Sequence, residues 1–116
     1  MASEPNLSLQ EKVRMLRERY TNSVGEKLTE INEAYDKLVS DVGGDNQTAA
    51  IDGLVAPIHK MAGSAPTFGC TDLGEIASKI EGLLLSCKES QGGISKEQET
   101  ELSGLMEALR QTATNI

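Results

Sequence analysis

The sequence is poor in aromatic side chains. Its 116 residues include no tryptophan, one phenylalanine and two tyrosines. A hydrophobic core must therefore be built from aliphatic side chains and methionine, a composition that favours packed helices. A chain of this length can bury one sizeable core but has no room for a second, so we expect a single domain.

Basic side chains are also scarce. The chain has 11 lysines and arginines against 18 aspartates and glutamates, which gives a net charge of −7 and a pI near 4.7. Such a surface repels phosphate backbones and anionic membranes, and no basic patch is visible, so we expect neither nucleic acid nor a membrane as a partner. No apolar run approaches the ~20 residues of a membrane span, and no charged-then-apolar leader comes before the first predicted helix. We expect a soluble, cytoplasmic protein.

Metal ligands and thiols are few. Cys70 and Cys87 are too few and too irregularly spaced for a disulfide framework or a zinc site, and His59 is the only histidine. We therefore predict no metal site, and two reduced thiols that pack as small hydrophobic side chains.

Apolar residues at three- and four-residue spacing predict a long first helix. Ser8 and Glu11 have the spacing of a capping box, so this helix should begin there. Its apolar positions are Leu9, Val13, Leu16, Tyr20, Val24, Leu28, Ile31, Tyr35, Leu38 and Val42. A second capping-box match at Ser23 and Glu26 leaves two alternatives open: one continuous helix, or a break near residues 21–23. The glycine pair at positions 43 and 44 should end the element.

The second predicted helix covers about residues 46–65 and carries His59. Its buried stripe is predicted to be Ile51, Leu54, Ile58, Met61 and Ala65. Pro57 lies inside it, where a proline ring clashes with the carbonyl group four residues back. That residue is Gly53, whose backbone relaxes easily, so we predict a kinked but continuous helix, with a break just before the proline as the alternative. Pro66 disfavours helical structure at the residue before it.

Two further helices complete the predicted fold. The third should begin at Thr71 or Asp72, and the fourth after Ser95, which forms a capping box with Gln98. Their core positions are Leu73, Ile76, Ala77, Ile80, Leu83, Leu84 and Cys87, then Leu102, Leu105, Met106, Leu109 and Ala113. No strand alternation is visible. We predict an all-α, antiparallel up-down four-helix bundle over residues 8–116, after a flexible lead of residues 1–7.

His59 is the side chain best suited to chemistry. It comes one residue after Ile58, so it is rotated by about 100° from the buried stripe, and we expect its ring at the flank of the core, open to solvent. The residues one turn before and after it are small: Val55, Ala56, Ala62 and Gly63. A glycine inside a helix costs roughly 1 kcal/mol relative to alanine, so Gly63 suggests that another molecule approaches the backbone closely.

The residues from His59 onwards resemble a known signature. His-x-Met-x-Gly-Ser-Ala-x-x-Phe-Gly over residues 59–69, followed by Leu73 and by Ile80-Glu81, resembles the motif of the histidine-containing phosphotransfer (HPt) domain. The Thr67-Phe68-Gly69 end is also similar to the phosphotransfer domain of chemotaxis-type kinases. That family folds as an antiparallel four-helix bundle with its histidine exposed midway along the second bundle helix, which agrees with the helix order predicted here.

The resemblance implies a phosphorelay function. In such domains the neutral imidazole, here His59, accepts a phosphoryl group from an aspartyl phosphate of a response-regulator receiver domain and passes it to another receiver. The partners would be receiver domains and a (hybrid) histidine kinase, and the receiver would bring Mg²⁺, so this chain needs no cofactor. It has no glycine-rich phosphate loop, which predicts a phosphocarrier without kinase activity of its own. We also expect the chain to act as a monomer.

The resemblance also suggests contact residues. Gly63 would let the receiver approach, and Ser64 would either bond near the phosphorylated ring or be an ordinary serine at a helix end. The family usually has lysine three residues after its histidine, where this chain has Ala62. Lys60 is the nearest cation, and it is either a substitute that reaches the phosphoryl group or a solvated surface lysine.

Three further residues of the motif have simpler interpretations. Met61 and Phe68 are predicted to belong to the core. Glu81 either matches the acidic residue of the family or is a solvated glutamate. The departure at Ala62 motivates an alternative function, a module that binds receivers or a kinase without carrying phosphate.

Overall fold

The described part of the chain consists almost entirely of helices. The computed structural model describes residues 8–40, 47–89 and 93–116. They form α1 (Leu9–Ser40), α2 (Gln47–Thr67), α3 (Thr71–Glu89) and α4 (Lys96–Thr114), with no strand among them. The all-α prediction is therefore confirmed. The predicted lead (residues 1–7), the glycine pair at 43 and 44, and residues 90–92 before α4 lie outside the described residues.

Contacts between the helices confirm the antiparallel bundle. Tyr20, early in α1, bonds Ser64, late in α2. Lys88, at the end of α3, pairs with Asp52 near the start of α2. Helix α4 packs on both α3 and α1, and its first turn lines one cleft with Tyr35, near the end of α1. Each helix therefore lies beside its neighbour in sequence and runs in the opposite direction, as in an up-down bundle.

Helix α1 is continuous from Leu9 to Ser40, so the alternative of a break near residues 21–23 is wrong. The Ser8 hydroxyl accepts a hydrogen bond from the Glu11 backbone N–H at 3.1 Å, as predicted for the helix start. Ser23 is not a cap, because its hydroxyl donates instead to the Tyr20 carbonyl one turn back, at 2.7 Å. No capping hydrogen bond at Ser23 therefore starts a new helix at this point.

The predicted apolar stripe of α1 is buried only in part. Tyr20 is the first buried residue of the helix, and Leu9, Val13 and Leu16 before it are exposed to 78%, 51% and 47%. Helical spacing alone does not say whether another element covers a face. These three apolar positions therefore lie outside the buried core.

Helix α2 is continuous through Pro57, so the predicted continuity is confirmed and the alternative break is wrong. The helix also continues to Thr67, two residues beyond the predicted end and through Pro66. The reason lies in its C-terminal hydrogen bonds. The Gly69 N–H donates to the Pro66 carbonyl at 3.1 Å and the Cys70 N–H to the Ala65 carbonyl at 2.8 Å, while Gly69 takes φ +83°. This Schellman arrangement satisfies the last carbonyl groups and outweighs the effect of the proline on Ala65.

The core is aliphatic, as the composition predicted. Its fully buried large side chains are Ile31, Leu38, Ile51, Leu54, Ile58, Met61, Leu73, Ile80, Leu84, Leu102, Met106 and Leu109.

Helix α4 starts at the predicted capping box, with both bonds between Ser95 and Gln98 formed. Cys70 and Cys87 are buried and free. Burial raises the pKa of the Cys87 thiol, and the Glu101 carboxylate adds to this rise. No described helix is long and apolar enough to cross a membrane.

Candidate functional site

His59 lies in the second half of α2, on the outside of the bundle. Its neighbours Ile58 and Met61 are buried in the core at 0% and 1% exposure, whereas the imidazole side chain is 72% exposed. The difference arises because one residue rotates a side chain by about 100° around the helix. The prediction of an exposed ring at the flank of the core is confirmed.

The ring of His59 is held by one carboxylate. Its Nδ1 lies 2.5 Å from Oε2 of Glu81, which projects from α3 and is 22% exposed. A carboxylate only accepts hydrogen bonds, so this contact favours the imidazole tautomer with its proton on Nδ1. The lone pair is then on Nε2. Among the described residues, no other group bonds either ring nitrogen, so Nε2 is available to a reactant from outside.

The contact between His59 and Glu81 belongs to a regular pairing of α2 with α3. Seven residues before His59, Asp52 pairs with Lys88, which is seven residues after Glu81, with 2.8 Å between Oδ1 and Nζ. Seven residues are about two helical turns, so both pairs lie on the same side of their helices. The register of the two helices therefore determines which residue of α3 meets the histidine.

Gly63 lies one turn after His59 and is exposed. A Cβ built on Gly63 would meet nothing within 4 Å. The packing of this chain therefore does not require glycine at this position. Ala62 precedes it, half-buried, at the place where the family motif has lysine.

Lys60 is exposed and follows His59 directly. Neighbouring helix positions point about 100° apart, and within residues 8–40, 47–89 and 93–116 the Lys60 ammonium group pairs with no carboxylate. Its side chain is thus available to a bound partner, although the structure does not hold it against the ring.

Ser64 is directed away from His59. The two residues are five positions apart, about 140° around the helix, and the Ser64 hydroxyl lies 2.9 Å from the Tyr20 hydroxyl of α1. Tyr20 also stacks on Phe68, with 4.9 Å between ring centroids and 19° between ring planes. Burial raises the pKa of Tyr20, the Ser64 hydrogen bond opposes this effect, and Cys70 adds to the rise. Phe68 itself is partly buried and packs against the core, as predicted.

The sequence alone did not reveal this group of Tyr20, Ser64 and Phe68. The spacing identifies Tyr20 only as an apolar position of α1, and nothing in it pairs the Tyr20 hydroxyl with a residue 44 positions away. The one available signal was that Tyr20 and Phe68 are two of only three aromatic residues in the chain. Two rings that stack gain about 0.5–1.5 kcal/mol beyond the burial of their area.

An antiparallel bundle with one exposed imidazole on its second helix has the architecture of a histidine phosphotransfer module. Residues 15–112 match the family model of the Hpt domain, and the chain belongs to this family. Membership gives it a phosphotransfer role in phosphorelay signalling, in which Hpt domains are phosphocarriers that interact with receiver domains and histidine kinases. No curated protein and no solved structure matches the chain.

Proposed function

We propose that this chain is a phosphorelay intermediate in which Nε2 of His59 accepts a phosphoryl group from a receiver aspartate and returns it to the aspartate of another receiver. The observation that carries the proposal is the state of the ring: it is 72% exposed, and its Nδ1 is held by Glu81. One nitrogen is oriented and the other is free. This is the arrangement that a nucleophilic imidazole requires.

The transfer balances without a further reactant. The Nε2 lone pair attacks the phosphorus of an aspartyl phosphate, the N–P bond forms, and the bond from phosphorus to the acyl oxygen breaks to leave the aspartate carboxylate. The proton stays on Nδ1, so the phosphorylated ring becomes formally cationic. The Glu81 carboxylate, 2.5 Å away, stabilises that charge. The reverse sequence delivers the phosphoryl group to the next aspartate.

The surface around His59 suits a transient partner. We name this surface the acceptor face; it consists of the residues that lie one turn from His59 on α2 and one turn from Glu81 on α3 and are not buried, namely Val55, Ala56, Ala62 and Gly63, and Ser78 and Leu85. These residues are small or apolar, and only Leu85 among them counts as an exposed large apolar side chain, at 44%. A receiver can therefore bring its active site close to the ring. The contact area should be modest and the affinity weak, since a carrier must also release its partner.

We propose different contributions from the residues next to His59. Gly63 leaves space for the receiver backbone. Lys60 contacts the phosphoryl group or the receiver at the edge of the acceptor face. Ser64 acts indirectly, because its bond to Tyr20 fixes the end of α2. Since Ala62 offers no cation, Mg²⁺ on the receiver supplies most of the charge neutralisation, and this chain needs no cofactor of its own.

The experiment uses purified receiver domains of response regulators, each phosphorylated with radiolabelled acetyl phosphate and mixed with this protein. We expect label to move to the chain as an acid-labile, base-stable adduct, and His59→Gln to abolish the transfer. His59 is the only histidine, so no second imidazole can take its place. Circular dichroism of the variant checks that the bundle is intact.

The same mixtures test the alternative of a binding module that carries no phosphate. That function predicts receiver binding which survives His59→Ala, together with no labile adduct on the wild-type protein. If no receiver or histidine kinase from the source organism transfers label to the wild-type chain, the proposed relay is wrong.

A further inference from the structure

Helices α2 and α3 meet at three levels that are seven residues apart. Asp52 faces Lys88, His59 faces Glu81, and Pro66 faces Gly74. Each step of seven residues forward along α2 matches a step of seven backward along α3. The His59 level therefore lies midway between the other two, about 10 Å from each.

The level of Pro66 and Gly74 is the tightest of the three. Gly74 is buried, and a Cβ built on it would lie 2.6 Å from both Cγ and Cδ of Pro66 and 3.5 Å from the Ala62 carbonyl oxygen. The Pro66 ring cannot rotate out of the way, because it is closed onto its own backbone nitrogen. The two helices reach this separation only because position 74 has no side chain.

We propose that Gly74 is a positioning residue for His59. Its missing side chain sets the distance between α2 and α3, and that distance brings the Glu81 carboxylate within 2.5 Å of Nδ1. The inference rests on the proposed function in one respect, since the orientation matters for phosphotransfer only if Nε2 is the nucleophile. The orientation itself is a property of the unmodified protein and can be measured without any phosphoryl donor.

The expected effect of adding a Cβ follows from the geometry. Carbon atoms in contact are separated by about 3.5–4.0 Å, so a Cβ at 2.6 Å must move away from the Pro66 ring by roughly 1 Å. If α3 pivots about the level of Asp52 and Lys88, the midway level of His59 opens by about half of this. The Nδ1 to Oε2 distance then rises to about 3 Å, just beyond the ~2.7–2.9 Å of a charge-assisted hydrogen bond. The bond that selects the tautomer is therefore kept but weakened.

The test is ¹⁵N NMR of the imidazole ring at a pH where the ring is neutral. Because His59 is the only histidine, uniformly labelled protein gives one pair of ring nitrogen signals that need no assignment by mutation. In the wild type we expect the proton on Nδ1. In Gly74→Ala we expect the population with the proton on Nε2 to rise by about twofold, in line with a weakened but not abolished bond.

Two further variants separate positioning from a general loss of stability. Gly82→Ala is the matched control: it makes the same substitution in the same helix, next to Glu81, where an added Cβ meets nothing within 4 Å. It should leave the ratio of tautomers unchanged. Pro66→Ala combined with Gly74→Ala removes the ring that the new Cβ would strike, and should restore the wild-type ratio.

Each result decides the proposal. An unchanged tautomer ratio in folded Gly74→Ala overturns it, as does an equal change in Gly82→Ala, a wild-type ring protonated on Nε2, or a double variant that stays shifted. If Gly74→Ala alone fails to fold, a folded double variant with the wild-type ratio supports the proposal, and an unfolded double variant overturns it. Failure of phosphotransfer in the wild type would refute the proposed function but would not move the NMR result.

Discussion

Glu81→Gln tests the central feature of the site. The substitution keeps the size of the side chain and removes the charge that lies 2.5 Å from Nδ1 of His59. We expect the first-order rate of phosphoryl transfer from a saturating phosphorylated receiver to fall, for two reasons: the tautomer with a free Nε2 is less favoured, and the cationic phosphorylated ring loses its counter-ion.

The size of the effect follows from distance and exposure. Two unit charges 2.5 Å apart attract each other by about 1.7 kcal/mol at the dielectric constant of water. With His59 72% exposed, solvent screening and side-chain entropy reduce this to about 1 kcal/mol. Since 1.4 kcal/mol corresponds to a factor of ten, the rate should fall by about fivefold. Glu81→Ala, which also removes the hydrogen-bond acceptor, should cost at least as much.

The assay is rapid-quench transfer of label from a phosphorylated receiver, with Glu75→Gln as the control. Glu75 is an exposed glutamate of the same helix and makes no ion pair within the described residues, so both variants change the net charge equally. Glu75→Gln should transfer at the wild-type rate. A full rate in Glu81→Gln, or an equal loss in both variants, would refute the function assigned to the carboxylate.

Two other substitutions give separate predictions. Ala62→Lys places an ammonium one turn after His59 on the same side of α2, and it should slow hydrolysis of the phosphohistidine by about fivefold at low salt. Ala49→Lys adds the same charge at a remote, exposed position and should leave the hydrolysis rate unchanged. Equal effects of the two substitutions would contradict a local contact between the ammonium and the phosphoryl group. Tyr20→Phe removes the bond to Ser64 and should lower the urea unfolding free energy at pH 7 by about 0.5–1.5 kcal/mol. Because folding raises the pKa of Tyr20, the unfolding free energy of the wild type should fall as pH rises above about 10. Tyr20→Phe lacks the titrating hydroxyl, so its unfolding free energy should fall less over the same pH range. Parallel pH curves for the two proteins would contradict it.

Much of the bundle could be predicted because helical spacing reports one local property, namely which face of a helix is apolar. The stripes of α2, α3 and α4 were identified in this way, and the exposed position of His59 follows from its offset from Ile58. Spacing does not report what covers a face. Leu9 and Leu16 continue the stripe of α1 with the correct period and are nevertheless exposed.

The contacts between helices could not be predicted from the sequence, because they depend on the register of one helix against another. The sequence allows two interpretations of Glu81, and only the pairing of α2 with α3 brings its carboxylate to Nδ1 of His59. Ser64 likewise had two, and the structure directs its hydroxyl to Tyr20. Such registers are determined by close contacts between residues of different helices, for example Pro66 against Gly74. The spacing of apolar residues in the sequence does not reveal these contacts.

The exposed start of α1 has a consequence for how the molecule opens. From Leu9 to Leu16 the helix is held by its own hydrogen bonds, with little tertiary packing to assist them, and so short a helix is marginal by itself in water. Unwinding should therefore begin at this end and cost little free energy, with rapid amide hydrogen exchange. It should stop where Tyr20 stacks on Phe68, so the same aromatic pair that ends the fraying of α1 also anchors the last turn of the helix that carries His59.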